Sequence, residues 1–94
     1  MTEISKKFHL HTLELHRMYS ELAIRNEKPD FFIADTITFF EIYEGLREFD
    51  RLLPEHTQNS LTPLMKIDLC FPSGYISVFP IKNDRRFIKA VVLE

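Results

Sequence analysis

A chain of 94 residues, 45% hydrophobic, with two glycines and five prolines, is long enough for one folded domain and unlike a disordered or low-complexity protein in composition. Its net charge of −2 gives no global field directed at nucleic acid or an anionic membrane, and no apolar run approaches the roughly 18–20 residues of a membrane span. The single cysteine, Cys70, excludes an intramolecular disulfide framework, and the polar start from Met1 to Lys7 is no signal peptide, so a cytoplasmic protein is expected.

Residues 4–25 read as a helix. Ile4, Phe8, Leu15, Met18, Tyr19 and Leu22 recur at three- and four-residue spacing on one face. Leu10, Leu13 and Ile24 lie off that stripe and call for a second contact. Phe8 to Thr12 also alternates with period two, which leaves a short strand open there. The polar break Arg25 to Pro29 ends the helix, since the residue before a proline is pushed out of the α region.

A second helix is expected from an Asp30 cap to Leu53. Its half from Phe39 onward is amphipathic. Phe39, Ile42, Tyr43, Leu46, Phe49 and Leu53 share one face, and Glu41, Glu44, Glu48 and Glu55 the other. In the first half, Phe31, Phe32, Ile33, Ile37, Phe39 and Phe40 surround the axis. Such a segment is buried on several sides or faces a partner, and its β-branched and aromatic content leaves a strand open.

Residues 55–63 have loop composition. From Met65 the period changes to two, with Met65, Ile67, Leu69 and Phe71 alternating with Lys66, Asp68 and Cys70. Pro72-Ser73-Gly74 and Asn83-Asp84 are turn signals that bound strands over 75–81 and 87–93. The middle strand is apolar on both faces. Short turns between consecutive strands imply antiparallel pairing, and Pro80 calls for a bulge, bend or strand end. The expected fold is therefore α+β: a single domain over 1–94, two N-terminal helices packed on a C-terminal three-stranded antiparallel sheet. Its core is expected to hold Phe8, Leu15, Met18, Leu22, Ile42, Leu46, Phe49, Ile67, Leu69, Ile76, Val78, Ile88 and Val91.

The residues that could carry chemistry are few. His9 and His11 point about 200° apart on a helix, and His11 and His16 are five residues apart. None of these spacings closes a ligand set with His56, so no metal site is expected. Cys70 has no local signature of a cysteine enzyme, and there is no glycine-rich phosphate loop or nucleophile elbow. Neither a cofactor nor catalysis is expected. Glu41, Glu44 and Glu48 lack a second acidic or amide cluster that would complete an oxygen-ligand shell, so they read as a solvated or partner-facing surface.

The leading expectation is a small non-catalytic protein-interaction module: an inhibitor, adaptor or regulatory subunit of the kind found among phage or plasmid accessory proteins. Phe32, Ile33, Ile37 and Phe40 would form the contact, bordered by Glu41, Glu44 and Glu48, with a homodimer as the default. Residues 29–55 carry two Lys/Arg against seven Asp/Glu, whereas residues 56–94 carry five against three. Within that basic end, Lys82, Arg85, Arg86 and Lys89 could meet phosphate or a partner. The order of two helices and a sheet resembles that of small ribosome-dependent ribonuclease toxins. That resemblance implies an RNA-acting protein whose phosphate contacts are these four cations. Such toxins are basic, this chain is acidic, and nucleic acid is the less expected partner. A structural homo-oligomer subunit is the third reading.

Overall fold

The computed structural model describes residues 3–50 and 66–93. In chain order the elements are α1 (Glu3–Ile24), β1 (Phe31–Asp35), α2 (Thr36–Asp50), β2 (Ile67–Phe71), β3 (Gly74–Ile81) and β4 (Ile88–Val91). Among the described residues the fold is α+β, with two helices and a four-stranded mixed sheet.

α1 is helical throughout, so the period-two alternation of 8–12 does not produce a strand. It ends in a Schellman cap. Asn26 takes a left-handed φ of 60°, its N–H donates to Ala23 O, and the Glu27 N–H donates to Leu22 O. Asparagine tolerates this conformation better than most residues, which locates the stop three residues before Pro29.

The expected helix over 30–53 is corrected in its first half. Phe31–Asp35 is a strand, and the helix begins only at Thr36, capped by Asp35 instead of Asp30. The physical reason is coverage. As a helix, these aromatic residues would have pointed all round an axis with nothing to bury them. As a strand they alternate, Phe32 and Ala34 entering the core while Phe31 and Ile33 face away. The strand also gains ladder hydrogen bonds on both sides.

That strand changes the sheet. The order is β2-β3-β1-β4, with β1 parallel to β3 and antiparallel to β4. Only the β2–β3 hairpin keeps the expected antiparallel pairing of sequence neighbours. β3 and β4 do not pair with each other, because β1 lies between them. Pro80 remains inside β3, one residue before its end. It lies past the last β2 pair, Ile67↔Val78, where β3 pairs with β1 alone.

Both helices pack on one face of the sheet. The core comprises Leu15 of α1; Phe39, Ile42 and Leu46 of α2; and Phe32, Ala34, Ile67, Phe71, Ile76 and Val78 of the sheet. Phe8, Met18, Leu69 and Ile88 pack against it, half-buried. Leu22 is buried, Val91 is half-buried on the opposite sheet face, and the Phe49 side chain lies outside the described residues. Phe71 is the aromatic hub, with ring centroids 4.7 Å from His16, 5.1 Å from Tyr19 and 5.5 Å from Phe32.

The helices run antiparallel, as the pairs Phe8 with Gly45 and His11 with Glu41 show. Gly45 is the point of closest approach: a Cβ added there would collide with Cβ and the ring of Phe8. The Phe8 Cβ cannot swing aside without moving α1. Gly45→Ala should therefore destabilise the fold by about 1–3 kcal/mol despite alanine's better helix propensity. Urea denaturation of the two proteins side by side checks this, with a lowered midpoint expected for the variant.

Candidate functional site

The densest set of polar side chains lies at the C-terminal end of β1, where strand passes directly into helix. Asp35 is its centre, 1% exposed. Its Oδ2 accepts the Thr38 N–H at 3.0 Å, which is the N-cap bond of α2. Its Oδ1 accepts the Phe87 N–H at 2.9 Å and the Thr38 hydroxyl. The Asp35 N–H donates in turn to Phe87 O at 3.2 Å. One carboxylate thus ties the end of β1, the start of α2 and the entry to β4.

Arg86 extends this network. Its Nε donates to Thr38 Oγ1 at 3.0 Å and lies 3.8 Å from Asp35 Oδ2, while its guanidinium also pairs with Glu41. Glu41 collects two further groups from α1: Lys7 Nζ at 3.3 Å and His11 Nε2 at 2.9 Å. The hydrogen bond requires the His11 proton on Nε2, since ionised Glu41 can only accept.

Burial by itself raises the pKa of the Asp35 carboxyl, but hydrogen bonds from Thr38 and Phe87, with the Arg86 charge, outweigh it and leave the pKa below its ordinary value. Burial likewise raises that of Glu41, and the hydrogen bonds from His11 and Lys7 with the Arg86 charge reverse the sign. Both carboxyls are therefore held ionised and fully engaged. The cluster can anchor a loop and join α1 to α2. It presents no unoccupied base, and no cysteine or serine nucleophile belongs to it.

The expected contact patch is divided between different surfaces. Phe32 is 0% exposed in the core, which is a correction: it cannot touch a partner while the fold is intact, because the inward register of β1 buries it. Ile33 lies on the opposite face of the sheet, helix-free among the described residues, and is half-buried. Ile37 is 60% exposed and Phe40 37% exposed on α2. Glu41 turns toward α1 and into the polar network, Glu44 is exposed one turn beyond Phe40, and Glu48 is half-exposed one turn further on.

The four cations divide too. Arg86 is drawn into the network, whereas Lys82, Arg85 and Lys89 are exposed and form no salt bridge among the described residues. Lys89 stands on β4 opposite Ile33, on the helix-free face. The loop carrying Lys82 and Arg85 leaves the same end of the sheet. Cys70 is exposed on β2.

His9, His11 and His16 lie along α1 in different surroundings: solvent, Glu41 and the Phe71 ring. His56 lies outside the described residues. Among those described, no group of three or more His, Cys, Asp or Glu could hold a metal ion, and no helix is long and apolar enough to cross a membrane.

The Asp35 network was missed in the sequence, although Asp35-Thr36-Ile37-Thr38 is a capping pattern of the same kind as the one assigned to Asp30. Its link to Arg86, 51 residues away, has no local signal. Comparison with protein-family models, with curated proteins and with solved structures finds no match to this chain.

The network sets a pH dependence. The ordinary values of Asp35 and Glu41 are 3.8 and 4.5, and the folded pKa values are lower. Their contribution is therefore fully present above those ordinary values and is lost as pH falls through the folded ones. The thermal midpoint should fall between pH 5 and pH 2, and Asp35→Asn with Glu41→Gln should flatten that fall. Asp35→Ala at pH 7 removes the cap and leaves the Phe87 N–H without its acceptor; a loss of about 2 kcal/mol or more is expected in chemical denaturation. EDTA should leave the thermal midpoint unchanged, and a drop restored by zinc would show that the histidines hold a metal after all.

Proposed function

We propose that this chain is a small non-catalytic protein-interaction module, an inhibitor, adaptor or regulatory subunit working in the cytoplasm. The observation that carries the reading is the outward face of α2, where Ile37 and Phe40 stand exposed next to Glu44. Large apolar side chains grouped with charge at their border are the ordinary composition of a contact surface. Leu10, Leu13 and Ile24 of α1 extend the argument. They lie off the core stripe and are exposed on the far side of that helix from the sheet.

The lack of a catalytic set among the described residues supports the same reading. The polar groups of the Asp35 network are occupied by each other, and such closure suits a scaffold better than a reaction centre. Salt should weaken the contact through Glu44. The default partner is a second copy, because symmetric self-contacts are the commonest oligomeric arrangement.

Light scattering at micromolar concentration tests the proposal. A mass above that of a monomer is expected, falling to the monomer in Ile37→Asp and Phe40→Asp with thermal midpoints near that of the parent. If the parent is instead monomeric, both variants should lose a protein captured from the native host. A monomer whose two variants remain folded and capture the same proteins as the parent overturns it.

A further inference from the structure

The sheet face turned away from the helices has a composition that the interaction surface on α2 does not share. Its outward residues are Phe31 and Ile33 on β1, Tyr75, Ser77, Phe79 and Ile81 on β3, Asp68 and Cys70 on β2, and Lys89 and Val91 on β4. None of the described helices covers it, and Tyr75 is 72% exposed. Three aromatic rings therefore stand on the two central strands. Phe31 and Phe79 meet edge to face, with centroids 5.6 Å apart. Tyr75 lies four residues from Phe79 on the same side of β3, about 13 Å at the strand rise. Between them the small Ser77 lies opposite Phe31 and donates its hydroxyl to Asp68 on β2.

The charge around these rings is mixed with cations in excess, Lys66, Lys82, Arg85 and Lys89 against Asp68 and Asp84. The acid on the face, Asp68, is held by Ser77 and by Lys66 at 3.5 Å. Lys89 stands in the same cross-strand row as Ile33 and Phe79, and Lys82 and Arg85 border the end of the sheet that Phe79 occupies. By contrast, Glu41, Glu44 and Glu48 belong to α2, on the other side of the sheet. Although the chain is acidic overall, this face is aromatic and cationic.

We propose that the helix-free sheet face binds a short single-stranded nucleic acid, with bases stacked on Phe31, Tyr75 and Phe79 and phosphates met by Lys82, Arg85 and Lys89. Aromatic rings on a four-stranded sheet are how RNA-recognition domains stack two or three bases, and stacking is tolerant of sequence because every base offers a π-face. A duplex fits less well, since its bases are already stacked on one another and offer no free face to the rings. A second copy fits poorly, because face-to-face packing would bring like charges together. The site is separate from the α2 surface and does not depend on it. It also relocates the phosphate contacts anticipated from the sequence: Arg86 leaves the set, and the aromatic rings of β1 and β3 join it.

Fluorescence anisotropy with end-labelled ten-nucleotide RNA and DNA of mixed sequence, at low salt and up to about 100 μM protein, is the test. Binding of the single strands is expected, with a matching duplex much weaker. Three phosphate contacts predict a slope of about −2 in log K against log salt. Tyr75→Ala, at an exposed position that should not disturb folding, should weaken binding about tenfold, as should Lys89→Glu, while Ile37→Asp should leave it unchanged. A preference for RNA would assign a contact to the 2′-hydroxyl; equal affinities would place recognition in stacking and phosphate alone. No anisotropy change with either single strand overturns the proposal. So does binding that survives both Tyr75→Ala and Lys89→Glu, or a self-association that Tyr75→Ala abolishes in a protein that binds no oligonucleotide.

Discussion

Asp35 holds the molecule together at the place where three elements meet. It is the last residue of β1 and the cap of α2, and it receives the backbone N–H that leads into β4. A buried carboxylate is tolerable only when its oxygens are occupied, and here Thr38 and Phe87 hydrogen-bond to them while Arg86 stands nearby as counter-charge. Hydrogen bonds to a charged group contribute about 1.5–3 kcal/mol each, so this joint is among the stronger local constraints in a small domain. The chain turns from strand to helix with no intervening loop, and the direction of α2 relative to the sheet is fixed at that turn.

The arrangement of the sheet follows from where this joint places β1. With its end tied to Phe87, the strand lies beside β4 and separates it from β3, although those two are neighbours in sequence. Its alternation then sends Phe32 and Ala34 under the helices and Phe31 and Ile33 to the opposite face. The same register that completes the core therefore supplies aromatic surface to the open side of the sheet. On the helix side, Gly45 lets α1 approach α2 closely enough for Lys7 and His11 to reach Glu41. The polar network and the apolar core thus share their supports.

The two proposed surfaces differ in kind. On α2, Ile37 and Phe40 are aliphatic and aromatic groups bordered by acid; on the sheet, the rings of Phe31, Tyr75 and Phe79 are bordered by Lys89 and the basic loop. The helices carry both signs, with Lys7 paired to Glu41 and Arg17 to Glu14 and Glu21, whereas the sheet face and its adjoining loop carry an excess of cations. A net charge of −2 does not register such a local excess.

The sequence determined α1, the amphipathic half of α2 and the β2–β3 hairpin, because each is written in local periodicity: 3.6 over Phe8 to Leu22 and Phe39 to Leu46, two over Ile67 to Phe71, and a Pro-Ser-Gly turn. It also marked Phe31 to Phe40 as too apolar all round for a solvent-facing helix, and left a strand open there. What the local pattern did not carry was the choice between the two states, since a short apolar run has no distinguishing period and is decided by the neighbours available to cover it. Only the tertiary structure decided that β3 and β4 would accept Phe31–Asp35 between them, with hydrogen bonds on both sides. The same limit separates Arg86 from Lys89. They are three residues apart and chemically alike, yet one is drawn to Asp35 and Glu41 while the other stands on the open sheet, because their partners come from segments 45 to 56 residues away.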